Sequence, residues 1–104
     1  MKTCGVCIEI NIALSKSTAQ SSLGNDYGPS DNAVDGNTNG NLNNGQSCTH
    51  TSPGSPGLWC VDLEQIYNIS SILIYNRDSI QERLSGFELN ISPDDVCNEQ
   101  GITS

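Results

Sequence analysis

The amino-acid sequence predicts an all-β fold, an antiparallel β-sandwich with long loops, on three observations. Apolar residues come in short runs, several alternating with polar ones at the period of a pleated strand. Between the runs lie stretches rich in Gly, Asn, Ser and Pro, the residues of turns. Ten glycines in 104 residues, with many Asn and Ser, favour loops and short strands over long helices. A chain of this length makes one small domain over residues 1–104, with no internal repeat and no boundary. Only 35% of its residues are hydrophobic, so the expected core is modest.

Taken in order, Val6, Ile8, Ile10 and Ile12 alternate and predict a half-buried strand over 6–14. Residues 1–8 also read as an irregular N-terminal extension, with Cys4 and Cys7 in a local disulfide or an unstructured start. A short strand is expected around Ala19, followed by a polar loop holding Gly24, Gly28 and Pro29. Ser30 to Gly36 predicts one helical turn, capped by Ser30 and ended by Gly36. From Gly36 to Gly45 the text is Asn- and Gly-rich with Leu42 its one apolar residue, so it packs no core and is either disordered or organised by a ligand or ion. After a Pro/Gly loop, strands are expected over 58–63, 69–75 and 87–91. Trp59, Val61, Leu63, Ile72, Ile74 and Tyr75 are the expected core. Asp62 is expected to pair near the pocket base or cap a turn.

The formal net charge of −8, with four Lys plus Arg, argues against nucleic acid and against an anionic membrane surface, both of which need clustered positive charge. It suits a protein that binds a divalent cation. No apolar run is long enough for a transmembrane helix, and Glu9 interrupts the place where a secretory h-region would lie. Five cysteines point to an oxidising compartment, and the odd number leaves one thiol without a partner inside the chain. Asn68 and Asn90 begin glycosylation sequons, short matches of little weight.

The side chains to weigh as a site are the one histidine, His50, and the two arginines, Arg77 and Arg83. Arg77 follows an expected strand end, a fixed mount for a side chain entering a loop. A guanidinium offers five donors in a rigid fork, which suits a hydroxyl and a ring oxygen together; a His nitrogen serves a third oxygen. Asp78 and Glu82 are placed to hold the forks. On residue type alone these are ordinary solvated residues, since exposed Arg is the common case. No carboxylate pair with divided acid and base roles stands out, and no nucleophile motif is present, so an enzyme is not expected.

Several collinear segments resemble the F-type lectin family. Asn11-Ile12-Ala13-Leu14 with Ser17-Thr18-Ala19-Gln20-Ser21-Ser22 is similar to its opening strand, and Ala33-Val34-Asp35-Gly36-Asn37 to its helical turn and loop. Ser47-Cys48-Thr49-His50-Thr51 resembles its Ser-Cys-Thr-His signature, and Trp59-Cys60-Val61-Asp62-Leu63 its Trp-x-Val-Asp-Leu strand. Tyr75-Asn76-Arg77 and Glu82-Arg83-Leu84-Ser85-Gly86 resemble its sugar-binding segment, so that the likeness runs from about residue 11 to 91. The resemblance implies a jelly-roll, discoidin-like β-sandwich that binds terminal L-fucose on fucosylated glycans. It implies that His50, Arg77 and Arg83 hydrogen-bond the axial hydroxyl, its neighbour and the ring oxygen. It further implies a secreted, extracellular protein of innate immunity. The alternative is a structural or adhesion module of the same fold that binds no sugar.

Three departures from the family pattern stand out. Where the family has an adjacent Cys pair between its two arginines, this chain has Ser79-Ile80 in a loop one residue shorter; Ile80 offers the apolar surface instead. Aromatic residues before the Ser-Cys-Thr-His segment are absent. The family domain continues with further strands beyond the point reached by Ser104, so the chain reads as a truncated domain. By the resemblance, the partners of Cys48 and Cys97 lie in that continuation, and Cys60, at a position usually polar, is a free thiol.

Asp35-Gly36-Asn37-Thr38-Asn39-Gly40 matches the first half of an EF-hand loop, but Gln46 stands where the closing Glu belongs, so an EF-hand is rejected. The resemblance implies a calcium ion that organises this loop, with Asn32, Asp35, Asn37 and Ser47 contributing ligands; the other reading is a solvated Asn-rich loop. A zinc site from Cys4, Cys7, Cys48 and His50 is a weaker reading.

Overall fold

The computed structural model describes residues 10–23, 28–41, 47–54, 56–94 and 96–98. The extension over 1–8, the first half of the 6–14 strand, Cys4, Cys7 and Leu42 lie outside the described residues. Two strands, β1 (Ser17–Gln20) and β2 (Trp59–Asp62), pair antiparallel with Ser17 opposite Asp62 and Gln20 opposite Trp59. The pairing continues one step past the ladder: Ser21 N donates to the Leu58 carbonyl at 2.9 Å, and Leu58 N donates to Ser21 Oγ at 3.0 Å.

The core of the described residues sits where β1 meets a 3-10 turn over Ser30–Val34. Ala19 on β1 and Val34 at the end of that turn are 5% and 4% exposed. Polar bonds lock the turn to β1, to β2 and to the residues before β1. The Thr18 and Ser30 hydroxyls lie 2.7 Å apart, Trp59 Nε1 donates to the Ser30 carbonyl at 2.9 Å, and Ser15 N donates to the Val34 carbonyl at 2.7 Å. The expected turn at 30–36 is present, but Ser30 does not cap it. Pro29 holds the cap position in an extended conformation and has no side-chain acceptor to offer, while the Ser30 hydroxyl, one position inside the turn, lies against Thr18. Gly36 ends the turn as expected, at φ +84°.

Three expectations are corrected. Residues 11–16 form a turn: the Asn11 side chain accepts from Ala13 N at 3.1 Å and Lys16 N donates to the Ala13 carbonyl at 3.1 Å. A short polar side chain bonding its own backbone two residues on competes with strand pairing. Secondly, 69–75 and 87–91 join no ladder among the described residues, and Ile72 to Tyr75 stand 47–76% exposed. β-propensity reports fit to a pleated, half-buried surface, and it gives no strand without a neighbour to pair and a face to cover. Ile72, Ile74 and Tyr75 are therefore not core, and Trp59 is also exposed, whereas Val61 and Leu63 are half-buried.

Thirdly, Cys60 is not a free thiol and Cys97 needs no partner outside the chain. They form a disulfide with Cα atoms 5.6 Å apart, tying β2 to the segment after residue 91. Cys48 is the free cysteine among the described residues. Asp62 caps a turn, its Oδ1 accepting from Glu64 N at 2.8 Å, and Glu64 takes φ +72° there. No helix among the described residues is long and apolar enough to cross a membrane.

Candidate functional site

His50 is held by its backbone. Its N–H donates to the Gly28 carbonyl at 2.8 Å, and its carbonyl accepts from Gln20 Nε2 at 3.1 Å. Gln20, the last residue of β1, also aims that amide nitrogen at the carbonyls of Ser22 (2.7 Å) and Gly28 (3.2 Å). Three carbonyl oxygens around one atom fix which end of the amide carries nitrogen, since an oxygen there would face only acceptors. Gly28 adopts φ +82°, and a Cβ built on it would fall 2.6 Å from the Cβ of His50, so the position admits glycine alone. The histidine is half-buried as a result. Sequence reading misses Gln20 and sees Gly28 as one more loop glycine; neither carries a local signal of its role.

Over residues 35–41 the Asn-rich loop is held by its own side chains. Asp35 Oδ1 accepts from Asn37 N at 2.8 Å, Asn37 Oδ1 from Asn39 N at 2.9 Å, and Asn39 Oδ1 from Asn41 N at 3.0 Å. Each is the same two-residue turn of Asx type, repeated with the spacing of the Asx residues in the sequence. Ser47, 6% exposed, donates its hydroxyl to the Asn39 carbonyl, and Asn32 Nδ2 donates to the Cys48 carbonyl at 3.0 Å. The four residues of the expected cation set, Asn32, Asp35, Asn37 and Ser47, thus belong to one hydrogen-bonded loop pair. Their donor chemistry suits a hard cation, because all four carry side-chain oxygens. They supply one carboxylate, and no group of three or more His, Cys, Asp and Glu side chains gathers among the described residues. Four donors are fewer than the six to eight that calcium takes, so backbone carbonyls or water would complete the shell.

The arginine segment folds on itself. Asn76 Oδ1 accepts from Arg77 N at 2.8 Å while its Nδ2 donates to the Gln81 carbonyl at 3.0 Å, closing the loop. Gln81 Nε2 donates to the Asp78 carbonyl at 2.5 Å. Arg77 is half-buried: Nη2 reaches Ser79 Oγ at 3.4 Å, and Nε is shut from solvent with no acceptor among the described residues. A buried donor without an acceptor costs about 1–3 kcal/mol, which a ligand oxygen reaching it would offset. Arg83 sits exposed in a second 3-10 turn, Gln81–Leu84. Asp78, Ile80 and Glu82 are exposed too, and neither acid forms an ion pair with either arginine among the described residues. Ile80 takes φ +54°, a left-handed conformation unfavourable to a β-branched side chain.

The two candidate segments are each bonded to the Asn-rich loop. The segment bearing His50 is bonded to it at Asn39 through Ser47, and the segment bearing Arg77 is bonded to it at Gly40, whose carbonyl accepts from Asp78 N at 2.9 Å. An open cleft of about 500 Å³ between residues 15–18 and 30–35 includes Asp35 but none of His50, Arg77 and Arg83.

Residues 32–103 match the profile of the NedA-like, galactose-binding domain, and this match spans both halves of the site. The chain belongs to that family. Its fold class is accordingly that of the galactose-binding, discoidin-like domains, of which the β1–β2 pair is one antiparallel piece. Among relatives of this family member, fucolectin from Anguilla anguilla is 51% identical over 61 residues, covering 58% of the chain and 38% of the relative. Fucolectin-4 from Anguilla japonica is 40% identical over 89 residues, covering 81% and 49%. The chain spans about half the length, or less, of the curated relatives it matches. A solved fucose binding module of Streptococcus pneumoniae superposes with a TM-score of 0.58 at 40% identity, covering 73% of this chain and 53% of the module.

Proposed function

We propose that this domain is a lectin module, not an enzyme, that binds terminal L-fucose on extracellular glycans. The observation that carries the reading is the likeness in both sequence and structure to the pneumococcal fucose binding module, at 40% identity over most of the chain. In this reading His50, Arg77 and Arg83 are the sugar's hydrogen-bonding partners. The backbone clamp on His50 and the buried, acceptor-poor Nε of Arg77 support it, since a ring or hydroxyl oxygen is the acceptor that group lacks. Asp78 and Glu82 support the arginine segment, and Ile80 offers the apolar contact a shallow sugar pocket needs. In this reading the sandwich is of the jelly-roll kind, and residues 1–104 contribute to one domain of it, with an irregular stretch at 1–8.

Calcium is the proposed ion of the Asn-rich loop. Bound there by Asn32, Asp35, Asn37 and Ser47, it would supply a fixed positive charge that draws the loop's oxygens together. The sugar itself is left to His50, Arg77 and Arg83.

The test is retention of the oxidatively refolded chain on immobilised L-fucose, eluted with free fucose, in calcium and in chelator. Retention is expected in calcium, and Arg77→Ala is expected to abolish it with an unchanged circular dichroism spectrum. A folded wild-type chain that passes straight through would sink the lectin reading and leave a structural or adhesion module of the same fold. Retention and thermal stability that are the same in millimolar calcium and in chelator would remove the ion.

A further inference from the structure

We propose that Gly40 is a positioning residue for Arg77, and that the Asn-rich loop sets the sugar-binding arginine through a Gly40–Asp78 clamp. This inference rests on the lectin reading above. Two observations carry it. The Gly40 carbonyl accepts from Asp78 N at 2.9 Å, a bond spanning almost forty positions next to a segment whose other bonds are local. The contact also leaves no room for a side chain. A Cβ on Gly40 would fall 2.2 Å from Asp78 Oδ1, 2.9 Å from its Cγ and 3.0 Å from the Asn76 carbonyl oxygen. A carboxylate can swing aside, but the Asn76 carbonyl belongs to the backbone. Moving it moves the peptide that leads into Arg77. The Asn76 amide is also the group that closes the arginine loop onto Gln81, so a shift there passes directly to the mount of the guanidinium.

The clamp joins the two parts of the site. One face of the Asn-rich loop is bonded to Ser47 in the histidine segment, the other to Asp78 in the arginine segment. Glycine at position 40 is what lets the second face close to backbone contact. A binding group held loosely by about 1 Å loses much of its worth, because its donors no longer meet the acceptor at hydrogen-bond geometry.

The experiment compares the full chain with Gly40→Ala and with the pair Gly40→Ala/Asp78→Ala, reading amide hydrogen exchange and fucose affinity on the same samples. In Gly40→Ala the Asp78 amide is expected to lose its protection while β1 and β2 amides keep theirs, and fucose affinity to fall about tenfold or more. Removing the Asp78 carboxylate in the pair relieves the closest clash and is expected to recover part of the protection of the amide at position 78. An Asp78 amide equally protected in both proteins, or an affinity untouched by Gly40→Ala in a wild type that binds, would overturn the clamp. If the wild type itself ignores fucose, the lectin reading fails and exchange at the Asp78 amide decides the clamp alone. If Gly40→Ala does not fold, the unaltered chain decides: protection of Asp78 N–H comparable with β1 supports the clamp, and exchange at an unprotected rate rejects it.

Discussion

The region built on β1, β2 and the first 3-10 turn differs from the region after Leu63 in where its polar bonds go. In the first, side chains reach far along the chain: Trp59 to Ser30, Gln20 to His50, Ser52 to Ser22, Asn32 to Cys48. In the second, apart from Glu64 to Lys16 at its start, those among the described residues stay local, Asn76 to Gln81, Gln81 to Asp78 and Ser85 to Glu82, while Ile72 to Tyr75, Phe87, Leu89 and Ile91 stand exposed. The apolar side chains are thus concentrated in the region that buries them least. The first region is specified by long-range polar contacts around Ala19 and Val34, the buried apolar residues among those described. The second is attached to it chiefly by the Cys60–Cys97 disulfide and the Asp78–Gly40 bond. The proposed site lies across that division, His50 on one side and the arginines on the other.

The largest expected effect breaks the attachment. The disulfide has a sequence separation of 37, and closing a loop of that size removes about 4 kcal/mol of chain entropy from the unfolded state in the simplest account. The pair Cys60→Ala/Cys97→Ala is expected to lose most of that stability in thermal unfolding. Amides after residue 63 should exchange freely, while those of β1 and β2 remain protected longer. Replacing both cysteines avoids reductant, which would also act on any other disulfide. Uniform loss of protection over both regions would show that they unfold as one, and the contrast drawn above would fall.

A smaller effect tests how the first region is held. Gln20→Ala takes away the donor shared by the carbonyls of Ser22, Gly28 and His50, leaving half-buried acceptors short of a partner at about 1–3 kcal/mol. Thermal unfolding is expected to shift down by that amount. Gln20→Glu is expected to be worse than Ala, because it sets an acceptor against three acceptors. An equal result for Ala and Glu would mean that the amide nitrogen is not what those carbonyls see. Fucose binding should weaken in both, through the freed carbonyl of His50.

The same contrast explains what was legible in the sequence. Ala19 in a short strand, the turn closed by Gly36 and the strand near Trp59 follow from local pattern, and all three form. For Asp62 residue type left two roles open, pairing near the pocket base or capping a turn, and the second is the one that forms. The strands over 69–75 and 87–91 are written as clearly in the sequence as β2, yet they pair with nothing among the described residues, because pairing is a property of two segments and pattern belongs to one. Residue type singled out His50, Arg77 and Arg83, and the collinear family segments gave them their proposed task. Gln20, Gly28 and Gly40 stayed hidden, since their roles are defined by what stands opposite them. The Cys60–Cys97 pair was hidden for the same reason: five cysteines state a number, not a pairing.

The smallest effect belongs to the ion pair that joins the end of the 11–16 turn to the turn after β2. Lys16 Nζ lies 3.1 Å from Glu64 Oε2. The hydrogen bond that Lys16 donates to Glu64, and next the charge of that carboxylate, raise the lysine above its ordinary value of 10.5. A lysine whose value is raised on folding stabilises the fold fully below the unfolded value, and that contribution is lost as pH rises through the folded one. The difference in melting temperature between wild type and Lys16→Met should therefore be flat from pH 7 to about 9 and shrink above about 10.5. It should be small throughout and vanish in about 1 M salt, because the pair is exposed and screened. A gap that survives high salt would mean that Lys16 acts through its packed methylene stem and not its charge. The turn would then be held by the first region's own packing, and the electrostatic link across it would have to be given up.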